Sequence, residues 1–192
     1  NQATLKGIEE AGKRGIGVVV MEPLRGGLLA QPPEAVRKVY EDFPTHRSPV
    51  SWAFRYLYTM PQVITILSGM STMAQVEDNL RIFADAAEEP LTAQETELYA
   101  KVKAAYDSCL RTRCTGCAYC QPCPMGVQIP KIFQGVDRAA LREGGSFKEG
   151  YAKIVAEGGG AEHCVKCRKC EKACPQHLPI VDFLHKFREE LS

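Results

Sequence analysis

The chain has no long apolar run, no excess of either charge and no cysteine in its first 108 residues, and each absence removes a class of protein. Nothing approaches the roughly 20 consecutive apolar residues that a spanning helix needs, so no membrane partner is expected. The 24 Lys and Arg offset 23 Asp and Glu to a formal charge of +1, which gives no electrostatic case for nucleic acid either. No secretory signal is recognisable, and with the thiol chemistry below this reads as a reducing, cytoplasmic setting. Asn1 is not a natural start, so the sequence is taken to begin inside a domain. At 45% hydrophobic and 24% charged, the composition is that of an ordinary globular chain.

What the first part lacks the last part concentrates. Eight of nine cysteines fall into two runs, Cys114, Cys117, Cys120, Cys123 and Cys164, Cys167, Cys170, Cys174, each ending in Cys-Pro. Sulfur is a soft donor, and a ligand at every third residue lets one turning loop offer three thiolates to a compact iron-sulfur cluster. The fourth cysteine of such a run reaches the other cluster more easily than its own. The spacing therefore predicts two 4Fe-4S clusters, one held by Cys114, Cys117, Cys120 and Cys174, the other by Cys164, Cys167, Cys170 and Cys123. The first run closes with only Gln121 and Pro122 between its last cysteines, one residue short of the bacterial ferredoxin pattern, which bears on the exchange of ligands more than on the clusters. Structural zinc is the competing reading, although zinc sites draw on two separated pairs. A disulfide framework is disfavoured by the close CxxC spacing.

Cysteine usage also divides the chain, with a boundary expected near 108–113 and domains at 1–108 and 109–192. In the first, Leu5, Ile8 and Ala11 start an amphipathic helix, and Ile16 to Met21 is a β-branched run that reads as a buried parallel strand. Val36, Val39, Tyr40 and Phe43 recur at helical spacing, as do Val50, Ala53, Phe54 and Leu57 after Ser48-Pro49. Val63 to Leu67 supplies a second buried strand. Thr72 with Gln75, and Thr92 with Glu95, form capping-box patterns for two further helices, the first carrying Val76, Leu80 and Phe83. Alternating strand and helix predict βαβ units around a parallel sheet. A closed eight-stranded α/β barrel takes about 250 residues. Residues 1–108 can hold only the last strands of one, a partial TIM barrel that would need further chain or a second copy to cover its open edge. The second domain has helical stripes at Ile129 to Val136, Phe147 to Val155 and Ile180 to Leu191, and reads as an all-α helical ferredoxin-like domain. The stretch after Cys123 resembles that after Cys174, a weak internal repeat.

On these residues a family resemblance rests. Gly15-Ile16-Gly17-Val18-Val19-Val20-Met21-Glu22-Pro23-Leu24-Arg25-Gly26-Gly27, with Ser48 to Leu57 and Ser68-Gly69-Met70-Ser71-Thr72 leading to Gln75 and Asn79, resembles the C-terminal part of aldo/keto reductases. The double cysteine module makes the chain similar to the ferredoxin-bearing branch. The resemblance implies a TIM barrel that binds NAD or NADP at its C-terminal mouth and reduces a carbonyl of a small-molecule substrate by hydride transfer. The strands here would be the sixth, the seventh and a short eighth near Arg81 to Ala84. The family's catalytic Asp, Tyr, Lys and His lie on earlier strands, so no catalytic residue is expected in this chain. The cofactor rim carries over as Pro23, Leu24, Ser68, Gly69, Gln75 and Asn79, a placement consistent with ligands at strand C-termini and phosphates at helix N-termini. Where many NADP-dependent members have a Lys-Ser pair and an Arg, this sequence has Gly69-Met70 and Gln75, leaving the choice between NAD, NADP and another carrier open. Arg25 is a conjectural substitute.

Other residues have plainer readings. Gln75 sits where a cap wants it, whereas Asn79 is disfavoured inside a helix and leans towards a ligand contact. The Gly26-Gly27 pair reads equally well as a turn device. Cys109 continues the stripe of Leu98, Val102 and Ala105 and reads as a packed thiol. His163 and His177 flank cluster cysteines as tuning groups or solvent-facing ones. Lys166, Arg168, Lys169 and Lys172 read as a solvated face, with docking of an acidic electron donor or compensation of cluster charge as alternatives. The leading expectation is an iron-sulfur oxidoreductase exchanging electrons with a redox partner protein or carrier. Against it stand a non-catalytic electron-carrier or docking module and a zinc-stabilised interaction module.

Overall fold

The computed structural model describes residues 4–84, 86 and 89–192 and divides into two compact units, Asn1–Tyr106 and Asp107–Ser192. In the first, helix α1 (Leu5–Lys13) leads to strand β1 (Val18–Val20), helices α2 (Glu34–Glu41) and α3 (Pro49–Tyr58), strand β2 (Val63–Ile66) and helices α4 (Met73–Ala84) and α5 (Ala93–Cys109), whose end crosses into the second unit. The strands pair in parallel, Val18 with Val63, Val19 with Thr65 and Val20 with Ile66, around a bulge that leaves Ile64 unmatched. Gly17 fits this bulge because a Cβ there would stand 2.8 Å from Ile64 Cδ1. Parallel pairing brings the loops after β1 and β2 out at the same end of the sheet.

Sequence pattern accounts for the helices. Pro49 occupies the first turn of α3, where its missing N–H costs nothing, and Ser48 Oγ accepts from Ser51 N at 3.1 Å. Thr92 and Glu95 form the reciprocal cap of α5, with Glu95 Oε2 accepting from Thr92 N (2.8 Å) and Thr92 Oγ1 from Glu95 N (3.1 Å). The same Glu95 takes a two-pronged hydrogen bond from the buried Arg55, at 2.9 and 3.0 Å, tying α3 to α5. Arg55 holds its carboxyl down at about 2, against the opposing cost of burial. Val36, Trp52, Leu98 and Val102 form the core of this side.

Two expectations are corrected here. Residues 81–84 are no eighth strand; they complete α4, whose Val76, Leu80 and Phe83 keep helical spacing to its end. Nor are the two strands buried, since Val19 is 49% and Ile64 67% exposed. A β-branched run says that a strand suits a packed face, but burial needs a neighbour across that face, and the sheet has only two strands among the described residues.

The second unit holds α6 (Ile129–Ala140), α7 (Lys148–Ala156), a 3₁₀ turn at Ala161–His163, the short α8 (Lys169–Ala173) and α9 (Ile180–Leu191), with no strand among the described residues. Its core joins Ile129, Ile132, Phe133 and Val136 to Tyr151, Ile154, Leu184 and Phe187 and includes Cys174, and Cys114, Cys120, Cys123, Cys164 and Cys170 pack against it. Phe133 meets the rings of Phe183 and Phe187 edge-on, at 5.7 and 5.8 Å. Gly135 lets α6 lie against Phe147, whose ring occupies the place of a Cβ.

Candidate metal centres

The two cysteine runs share left-handed turns at matching positions, although the second carries α8 before its last cysteine. Two residues after the first cysteine of each run the chain turns left-handed at Gly116 (φ 71°) and Lys166 (58°), and again two residues on at Ala118 (63°) and Arg168 (56°). Three residues after the fourth cysteine it does so once more, at Gly126 (74°) and His177 (51°). There Gly126 N donates to Cys123 O at 2.9 Å and His177 N to Cys174 O at 3.1 Å, closing equivalent turns that enter α6 and α9. The repeat faintly visible in sequence is therefore a repeat of dihedral angles, in which glycine fills the left-handed position at Gly116 and Gly126 and alanine, lysine, arginine and histidine fill it at Ala118, Lys166, Arg168 and His177.

The loops assemble two cavities. One, of about 320 Å³, is lined by Cys123, Cys164, Cys167 and Cys170, with Cys120 also on its wall. The other, of about 20 Å³, is lined by Cys114, Cys117, Cys120 and Cys174. Each is lined by three cysteines of one run and the last of the other, and Cys120 touches both. Cys117 and Cys167 are exposed, Cys174 is buried and the rest lie between. Among the described residues no three His, Cys, Asp or Glu side chains stand close enough to hold a single metal ion. A zinc ion needs four donors within about 2.3 Å of one point. Sulfurs ringed around a cavity suit a cluster, which shares its ligands among several irons. The donor chemistry of both sets fits such a group, and the larger cavity also has the room. Burial pushes the Cys120 thiol up to about 11 and raises Cys114 and Cys170 as well, so metal entry has protons to expel there.

Polar side chains that sequence reading passed over hold these loops. The Asp137 carboxylate on α6 accepts from Arg111 N (2.8 Å), Thr112 N (2.7 Å) and Thr112 Oγ1 (2.7 Å), and Thr112 Oγ1 in turn accepts from Cys114 N at 3.1 Å. Gln121 bridges its loop, donating to Val127 O (2.9 Å) and accepting from Cys123 N (3.1 Å). Glu171 accepts from Val181 N at the start of α9 (2.9 Å) and from Arg168 Nη1 (3.0 Å). The one available signal was Asp137 itself, an acid on the apolar stripe of α6. His163 is exposed with its ring 3.8 Å from Glu162, His177 is exposed at its turn, and Cys109 is half-buried at the end of α5.

In the first unit, the predicted cofactor residues gather in part. Asn79 Nδ2 donates to Ser68 Oγ at 2.9 Å, linking α4 to the loop after β2. Gln75 Oε1 accepts from Ser71 N at 2.8 Å, and Gln75 N donates to Thr72 Oγ1 at 3.3 Å, so Gln75 caps its helix one residue further back than a standard box. Gly69 is exposed with open space where a Cβ would be, and Pro23 and Leu24 are half-buried on the loop after β1.

Comparison with known proteins brings in two families. The model of the aldo/keto reductase family matches residues 3–103, and that of the 4Fe-4S dicluster domain matches residues 113–178. Among solved structures, the chain is similar to the holo form of aldo-keto reductase AKR11C1 from Bacillus halodurans, at 27% identity and a TM-score of 0.41 over 50% of this chain and 37% of that one. The apo form gives 27% identity and a TM-score of 0.39, over 49% and 36%. The chain thus spans little more than a third of that reductase's length. No curated protein matches.

Proposed function

The chain belongs to the aldo/keto reductase family and carries a 4Fe-4S dicluster domain, and on that premise we propose that it is part of an oxidoreductase coupling nicotinamide-linked hydride chemistry to one-electron transfer. The observation that carries this reading is the division of eight cysteines into two cavities with their fourth members exchanged. In it, Cys114, Cys117, Cys120 and Cys174 hold one 4Fe-4S cluster, and Cys123, Cys164, Cys167 and Cys170 hold the other. When bound, these clusters supply one-electron chemistry. Asp137 and Thr112 fix the backbone that presents Cys114, and Gln121 fixes that of Cys123. The first unit is read as the closing strands of a barrel, with Pro23, Leu24, Ser68, Gly69, Gln75 and Asn79 on the rim that takes NAD or NADP. Supporting this, the loops after both strands leave the sheet at one end, and Asn79 joins Ser68 there.

Anaerobic reconstitution with iron and sulfide tests the proposal. The expected product is brown, absorbs broadly in the visible and holds about eight irons per chain. Cys174→Ser should abolish the centre of the first run and spare the other, and Cys123→Ser should do the reverse. Serine variants that retain both centres, or a colourless protein with two zinc ions, would overturn it. Dye reduction dependent on a nicotinamide cofactor in the full-length protein tests the coupling.

A further inference from the structure

The two cysteine runs share their left-handed turns but not a charge. The first places Thr115, Gly116, Ala118 and Tyr119 between its cysteines, with no ionisable group other than the Tyr119 phenol; the second places Val165, Lys166, Arg168 and Lys169 there, and Lys172 follows. All four cations are exposed. Arg168 is compensated by Glu171 at 3.0 Å and lies 3.9 Å from Asp182. Among the described residues no carboxylate comes within ion-pair range of Lys166, Lys169 or Lys172, which leaves three free positive charges on a chain whose total is only +1. The larger cavity opens beside this loop, with Tyr119, Val165, Arg168 and Lys169 on its wall and the exposed Cys167 lining it too. Tyr119 is 68% and Val165 60% exposed, two apolar side chains on the wall that Arg168 and Lys169 share.

We propose that this face is the port through which the chain exchanges electrons, and that its partner is an acidic one-electron carrier protein seated on Val165 and Tyr119 and steered by Lys166, Lys169 and Lys172. The inference rests on the iron-sulfur reading above. Four cations within the second run, against the exposed Arg113 immediately before the first, make the two faces unequal, and an acidic surface approaching this unit is drawn to the second. A small patch that mixes exposed apolar and cationic side chains is suited to a brief redox encounter rather than a permanent complex. The step itself transfers one electron between the carrier and the site of Cys123, Cys164, Cys167 and Cys170. One partner is oxidised and the other reduced by one electron, and no bond forms or breaks.

The test compares the reconstituted protein with its K166Q/K169Q/K172Q variant, each single substitution and a K131Q/K153Q control elsewhere on the same unit. Iron content is measured first. Binding of a purified acidic flavodoxin to the oxidised protein is then followed by calorimetry at low and high salt. Oxidation of the reduced protein is timed with hexacyanoferrate(III), an anion, and hexaammineruthenium(III), a cation. The triple variant should bind flavodoxin about tenfold more weakly at low salt, with the difference vanishing at high salt. It should also react more slowly with the anion but not with the cation, while the control behaves like the parent. Unchanged binding with full iron content would overturn the port alone. So would an altered midpoint potential without altered binding, because the lysines would then serve the charge of the centre, and so would an equal loss in the control. Absence of iron from the parent would overturn the iron-sulfur reading and the port together.

Discussion

The two units solve the same burial problem in opposite ways. The cysteine unit encloses its core, with Ile132, Phe133, Phe187 and Leu184 almost wholly out of water and six of the cysteines in it or packed on it. The strand unit buries Val36 and Trp52 among its helices, yet Ile64 in its sheet and Ile16 and Met21 beside β1 are more than half exposed. Helical stripes can close on one another within some 80 residues, whereas a parallel sheet needs partners on both edges and both faces. In the strand unit, order therefore leans on a few polar ties between helices. In the cysteine unit it leans on apolar packing and on whatever the thiols bind.

The Arg55 tie offers the largest test of that contrast. Arg55→Ala leaves the Glu95 carboxylate buried without its partner and should cost the first unit about 3–5 kcal/mol, read by thermal unfolding, with the second unit unaffected. Acid should act on the same bond. The Glu95 carboxyl, ordinarily near 4.5, is depressed to about 2 in the folded unit. Its stabilisation is thus complete above the unfolded value and fades as pH falls from near 5 towards 2. A pH titration in which Arg55→Ala flattens this decline in the first unit bears the reading out, and parallel curves for variant and parent would sink it.

Isoleucine provides a second, paired comparison. Ile132 is fully buried on α6 and Ile64 is 67% exposed on β2. Ile132→Ala should cost about 2–5 kcal/mol, and Ile64→Ala no more than about 0.5 kcal/mol. Chemical denaturation followed by a probe in each unit reads both. If Ile64→Ala proved as costly as Ile132→Ala, the sheet face would be covered in solution, by another copy of the chain or by other means.

That pair also marks how far the sequence was legible. Helices were readable because a stripe such as Ile129, Ile132, Phe133 and Val136 encodes both the helix and the face it buries. The strands at Val18–Val20 and Val63–Ile66 were readable as strands, but their burial was not, because it depends on chain across the sheet that local pattern does not specify. The strand expected at Arg81 to Ala84 came from family resemblance, and the periodicity of Leu80 and Phe83 within α4 argues against it. Among candidate site residues, the cysteine runs stood out by spacing alone. Asp137 and Thr112, which position the first loop, lie 25 residues apart in the chain, and no spacing rule links a lone acid to the hydroxyl it meets in the fold.

The smallest test returns to the cysteine loops, where the stabilising framework itself contains strain. Ala118 sits at φ 63°, a region that a Cβ makes unfavourable, while the neighbouring left-handed position is already filled by Gly116 at φ 71°. Ala118→Gly removes that penalty, roughly 1–2 kcal/mol for a non-glycine residue. It also gives the unfolded chain more freedom, which returns about 0.4–1 kcal/mol of the gain. The net expectation is a second unit more stable by up to about 1.6 kcal/mol, with unchanged iron content, measured as a rise in its unfolding midpoint after reconstitution. A loss of stability would mean that the Ala118 methyl group makes packing contacts worth more than its backbone strain. The comparison between units would then shift, for the loops would belong to the apolar core rather than merely rest on it.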